Sequence, residues 1–295
     1  MIESFIKSLL NKSEELSKEI CYLLTKYSQI DIHFNSNSFL IYLGPENKWK
    51  KLNSEGIKIQ NIIYKEYNNF KNLLLFLFED LPENYLREFK EVDEQILEII
   101  SQSNNTYFKT IDETAVSVIK YFNVIISLLT PLESAQSKSY LLIPDTNAFL
   151  INPDIENWKF EAFKNFTIIL VPTLLKELDK HKMSHNRQEV RDKATKIINK
   201  IKEYRRRGKL IEGVIFVKNK IDLIGIATEP DFNKTLMWLD QKNDDDVFLA
   251  STLEIIKHYL HSIVIVVTND LNLQSKCELA NVPYLETPID LKITK

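Results

Sequence analysis

Glycine is scarce in this chain of 295 residues: there are five, at positions 44, 56, 208, 213 and 225, where an average composition supplies about 7%. Neither G-x-x-x-x-G-K-[ST] nor G-x-G-x-x-G can be assembled from them, so the phosphate loop of NTPases and the dinucleotide-binding turn are both excluded. The G-x-S-x-G nucleophile elbow is missing as well. Cysteine is nearly absent. Cys21 and Cys277 lie far apart in sequence, which makes neither a disulfide framework nor a zinc-knuckle spacing, and both read as buried or inert thiols. No apolar run approaches the roughly 20 residues of a membrane helix. Met1-Ile2-Glu3-Ser4 lacks a basic segment ahead of an apolar stretch, so no signal peptide and no membrane partner are expected, and the chain reads as cytoplasmic. What remains is ordinary for a globular protein, with 44% hydrophobic and 27% charged residues.

The length suits two domains. Residues 1–135 read mostly as helices, over 2–24, 57–78, 83–100 and 111–129. A small hairpin is expected from Phe39–Leu43 through Gly44-Pro45-Glu46-Asn47 to Trp49–Leu52. The run Phe70 to Phe78 is apolar on nearly every side, which suits the core of a helical domain or an interface, and through such an interface this region could carry a homo-oligomer contact. Polar, serine-bearing Pro131–Ser139 reads as a linker, giving a helical accessory domain over 1–135 and a second domain over 136–295. Beyond Tyr140 the pattern alternates strand and helix, with strands expected at 140–143, 167–171, 214–217, 263–267 and 283–286, which implies a parallel sheet with helices on its faces. Pro172 suits the first position of one helix, and Ala194, Ile197, Ile198 and Ile201 stripe another that stops near Gly208.

Four acids follow apolar strands or open helices in this second half: Asp145 in LLIPDTN, Glu177 in IILVPTLLKEL, Asp244 in QKNDDDVFLA and Asp270 in IVIVVTND. The runs Leu141 to Ile143 and Ile263 to Val267 are apolar throughout, as parallel strands buried on both faces are. Functional crevices of open parallel sheets lie outside the carboxyl ends of the strands, where Asp145 and Asp270 would emerge. Carboxylates crowded there would repel one another unless a cation neutralised them, which points to a divalent metal site.

With DTN after the first strand, KEL in a helix, ND-x-x-[VI] at a helix start, and VTNDLNLQSK running into ANVPYLE, residues 140–286 resemble a PIN-domain nuclease over about half the chain. The resemblance implies an α/β fold, a central parallel sheet sandwiched by helices, here joined to a mainly α-helical N-terminal domain. It also implies metal-dependent hydrolysis of phosphodiester bonds, usually in RNA and single-stranded rather than duplex, leaving a 5′ phosphate and a 3′ hydroxyl. By motif, Asp145, Glu177, Asp244 and Asp270 would be the catalytic and metal-binding set for Mg²⁺ or Mn²⁺, ions that prefer carboxylate and water oxygens. Asp244, Asp245 and Asp246 are consecutive, and Asp244 matches the motif three residues before Val247. Asp245 and Asp246 would then assist from behind, with Thr146, Asn147, Thr268 and Asn269 orienting the acids or a bound water.

Charge along the chain separates the two halves. Residues 176–220 hold 15 Lys and Arg against 6 Asp and Glu, whereas residues 1–139 hold 15 against 19. A basic zone beside an acidic pocket suits a phosphate backbone, and Lys180, Lys182, Arg187 and Arg191, nearest Glu177, are the expected strand contacts. Arg205-Arg206-Arg207 could equally complement a helix C-terminus. Glu177, His181 and His185 at i, i+4 and i+8 invite a zinc reading, but H-E-x-x-H is absent. An aspartyl-nucleophile phosphatase would want a second acid where Asn147 stands. A structure-selective DNA nuclease shares the metal chemistry, and a catalytically silent nucleic-acid-binding or protein-interaction module is the alternative from another class.

Overall fold

A computed structural model describes residues 2–32, 47–103 and 105–288. The chain divides into two compact units, one formed by 8–133, the other by 134–295 together with 1–7.

The first unit is helical. Its helices are α1 (Phe5–Tyr27), α2 (Ser54–Phe78), α3 (Glu83–Ser101) and α4 (Ile111–Ser134), with the short strands β1 (Ile30–Asp31), β2 (Asn47–Trp49) and β3 (Asn105–Thr106) forming an antiparallel sheet in the order β1-β2-β3. Asn53 caps α2 by accepting the Gly56 amide at 2.8 Å. Gly56 suits the close packing there, since a Cβ would lie 3.1 Å from that of Tyr27. The apolar run of α2 buries Phe70, Leu73, Leu74, Phe76, Leu77 and Phe78. Tyr67 meets Phe122 edge to face, and Phe78 meets Phe89 likewise. Tyr67 also donates to buried Asp93 at 3.1 Å, and Lys71 completes an ion pair with the same carboxylate.

Two expectations are corrected here. The first half of the proposed hairpin, Phe39–Leu43, lies outside the described residues, and its second half is a strand only over Asn47–Trp49, paired with β1 and β3. Pro131 does not begin a linker: α4 continues through it to Ser134, because Leu128 and Leu129 are buried and hold the last turns in place. By length and composition alone, α4 is long and apolar enough to cross a membrane.

The second unit is an α/β sandwich. Along the chain follow β4 (Tyr140–Pro144), α5 (Thr146–Ile151), β5 (Phe166–Leu170), α6 (Pro172–Ser184), α7 (Gln188–Arg205), β6 (Val214–Val217), β7 (Ile221–Gly225), α8 (Asp244–His258), β8 (Ile263–Val267), α9 (Leu271–Leu279) and β9 (Tyr284–Leu285). The sheet order is β6-β7-β5-β4-β8-β9. All neighbours are parallel except β6 and β7, so the sheet is mixed rather than wholly parallel. β7 was not foreseen, because Asp222 interrupts its apolar pattern. It follows β6 through a tight turn in which Asn219 takes a left-handed φ of 59° and Lys220 donates to Val217 at 2.9 Å. Central β4 and β8 bury Leu142, Ile143, Ile265, Val266 and Val267, while Ala194, Ile197, Ile198 and Ile201 form the buried face of α7, the stripe read from the sequence.

Candidate active site

The register of the central strands sets the site. Tyr140 pairs with Ile263 and Pro144 with Val267, so the next residues, Asp145 and Thr268, emerge side by side at the carboxyl edge. The Asp145 amide donates to the Val267 carbonyl at 3.0 Å, and the Thr268 hydroxyl donates to Asp145 Oδ2 at 2.5 Å. Asp145 Oδ1 caps α5 by accepting the Ala148 amide at 2.6 Å. Two residues past Thr268, Asp270 caps α9 by accepting the amides of Asn272 and Leu273. Glu177 projects from the second turn of α6, and the Thr146 hydroxyl donates to it. Asp244 opens α8 behind the Asn243 cap.

All four acids line one cavity of about 280 Å³, together with Asp245. Its electrostatics follow from this crowding. Asp145 is 7% exposed, and its carboxyl is pushed up to about 6, first by burial and further by the negative charges of Asp270 and Glu177, against the hydrogen bonds from Thr268 and Ala148. Among the described residues no three His, Cys, Asp or Glu side chains converge closely enough to form a ready-made cage for a metal. Asp145, Glu177 and Asp270 are instead turned toward hydroxyl or amide donors of their own neighbourhoods.

The supporting residues divide. Thr146 and Asn147 line the cavity, and Thr268, fully buried, joins the two strand-end acids: besides its bond to Asp145, its oxygen accepts the Asp270 amide at 3.0 Å. Asn269 points elsewhere and accepts the Thr287 amide at 3.0 Å, so it ties down the segment after β9 rather than orienting an acid. Asp245 lines the cavity while accepting from Asn272 at 2.8 Å. Asp246 does not line it. A helix turns about 100° per residue, which carries Asp246 into the interior, where it accepts the Asp240 amide at 3.0 Å and pairs with Lys276 at 2.7 Å.

Of the four expected strand contacts, Lys180 lines the cavity. Lys182, Arg187 and Arg191 do not. The Arg191 guanidinium is held by the His185 carbonyl and the Gln188 side chain, fastening the corner between α6 and α7. Much of the surrounding basic charge is also internally paired: Lys196 and Lys200 with Asp154, Lys200 with Glu156, Lys193 with Glu189, and Arg207 with Glu203. The imagined zinc triad comes apart in the same way. His181 lines the cavity with Glu177, but His185 turns to the corner, its Nδ1 accepting the Arg187 amide at 3.1 Å. Burial is the first reason that His181 binds a proton less readily than usual, with His185 and Lys180 adding to it.

Two residues around the site, Thr173 and Lys276, escaped the sequence. His181 was legible, since it stands one turn after Glu177 on the same face. Thr173 stands one turn before Glu177 on that face and lines the cavity, yet a threonine in the first turn of a helix carries no signal of its own. Lys276 reaches from α9 to Asp246 at 2.7 Å and Asp245 at 3.4 Å, a pairing set by how two helices pack and not by any spacing.

The family model described as PIN domain matches residues 142–287 of this chain. A search of curated proteins returned no match.

Proposed function

We propose, from the match of residues 142–287 to the PIN-domain family model, that this chain is a metal-dependent nuclease that hydrolyses phosphodiester bonds of single-stranded RNA at the cavity between β4, α6, α8 and β8. The observation that carries this reading is the lining itself: Asp145, Glu177, Asp244, Asp245 and Asp270 share one cavity, with the Asp145 carboxyl raised first by its burial and further by Asp270 and Glu177.

The donor set fits Mg²⁺ or Mn²⁺. It is built from carboxylate oxygens without thiolate, and it concentrates negative charge that a divalent ion would relieve. Asp145, Glu177, Asp244 and Asp270 would hold the ion, which when bound supplies Lewis acidity toward the phosphate and makes water a usable nucleophile near neutral pH. The protein's own contribution is position. Thr268 and the Ala148 amide fix both oxygens of Asp145, Thr146 steers Glu177, and the amides of α9 hold Asp270. Lys180 contributes a positive charge at the rim for the substrate backbone. The charge excess of 176–220 supports nucleic acid less than its count suggests, because so many of those cations are paired within the fold.

Incubation with Mn²⁺ and end-labelled single-stranded RNA, single-stranded DNA and a flapped duplex tests the reading. Cleavage of the RNA to fragments bearing 5′ phosphates is expected, with Asp145→Asn folded and at background. Preference for the flap would make it a structure-selective DNA nuclease, and no turnover on any substrate with either metal would make the site a silent binding module.

A further inference from the structure

Four helices present their N-termini to the cavity. Three are capped by side chains, α5 by Asp145, α8 by Asn243 and α9 by Asp270. α6 is not: the residue before it is Val171, and its first position is Pro172, which has no N–H. The first donors of α6 are therefore the amides of Thr173 and Leu174, which a helix cannot satisfy from within itself. The side chain of Thr173 adds an independent sign. It is 5% exposed and lines the cavity, and its hydroxyl is buried without a hydrogen-bond partner. A buried hydroxyl left unpaired is costly, so an acceptor arriving in the cavity that Thr173 lines would recover that cost.

The chemistry of that group is constrained. Backbone amides at the positive end of a helix dipole, together with a hydroxyl, are donors suited to an anionic oxygen. Thr173, Glu177 and Lys180 stand at i, i+4 and i+7, one face of α6, and all three line the cavity. The acceptor consequently sits beside the carboxylate set at one end of this face and has a lysine along it. We propose that Thr173 and the first turn of α6 seat a non-bridging oxygen of the substrate phosphate next to the acidic cluster. This rests on the nuclease reading and assigns Thr173 as a residue that touches substrate.

The test compares Thr173→Val, which keeps the shape and removes the hydroxyl, with Thr173→Ser, which keeps the hydroxyl. For the valine variant we expect an unchanged or higher Tm in the metal-free protein, an unchanged Mn²⁺ dissociation constant by calorimetry, and kcat/KM on a single-stranded RNA oligomer lowered about tenfold or more, with serine restoring most of the loss. A lower Tm for Thr173→Val would give the hydroxyl a structural role, and a weakened Mn²⁺ affinity would assign it to the ion; either result overturns the phosphate seat. Undiminished cleavage by the valine variant overturns the seat alone. A wild-type protein that binds no Mn²⁺ and cleaves no RNA overturns the nuclease reading and the seat with it.

Discussion

Asp145 concentrates the tension of the site in one side chain: it is almost fully buried, it caps α5, and four other acids, Glu177, Asp244, Asp245 and Asp270, line the same cavity. Its folded-state carboxyl sits near 6, above its ordinary value, so between those two values the folded chain holds a proton that the unfolded chain has released. Stability from this group is present at acid pH and lost as pH rises through about 6. Relative to Asp145→Asn, the metal-free wild type should lose on the order of 3 kcal/mol between pH 4 and pH 7.5, read as the difference between two denaturation series. A flat difference would contradict the assigned environment. Mn²⁺ should offset that loss at pH 7.5 and do little at pH 5, where the proton competes with it. At this scale the sequence carried much of the site, because a residue one step past a buried strand can only emerge at the carboxyl edge. It could not separate Asp245 from Asp246, which differ by one step of helical rotation, nor find Thr173, whose unpaired state exists only once α6 is packed.

Between elements, the contact that most directly shapes the site is the clasp of α8 and α9. Lys276 bonds Asp246 at 2.7 Å and Asn243 at 3.3 Å, with side-chain exposures of 17% for the lysine and 9% for Asp246, so removing it strands a buried carboxylate. Lys276→Met should cost about 3 kcal/mol in urea unfolding, and adding Asp246→Asn should recover a substantial part of it, since breaking such a pair costs more than removing both partners. Strictly additive losses would show that the pair is not coupled. The strands β4, β5 and β8 were legible as apolar runs, and α6 and α7 as periodic ones. β7 was not, because Asp222 breaks its run and its pairing is decided by the turn at Asn219. The path of α4 through Pro131 was likewise decided by burial of the preceding turn against what local composition suggested.

At the scale of the molecule, the chain holds two compact units, and the acids, the cavity and the family match all fall within the second. The helical unit buries most of its apolar run in its own core. The reading therefore stands on whether hard cations enter one place. Anomalous X-ray diffraction from crystals of the full chain soaked in Mn²⁺ tests that most directly. Density for manganese is predicted in the cavity between Asp145 and Asp270, within coordinating reach of both, and diminished in Asp145→Asn. Manganese bound only outside that cavity, or none bound at saturating concentration, would contradict it.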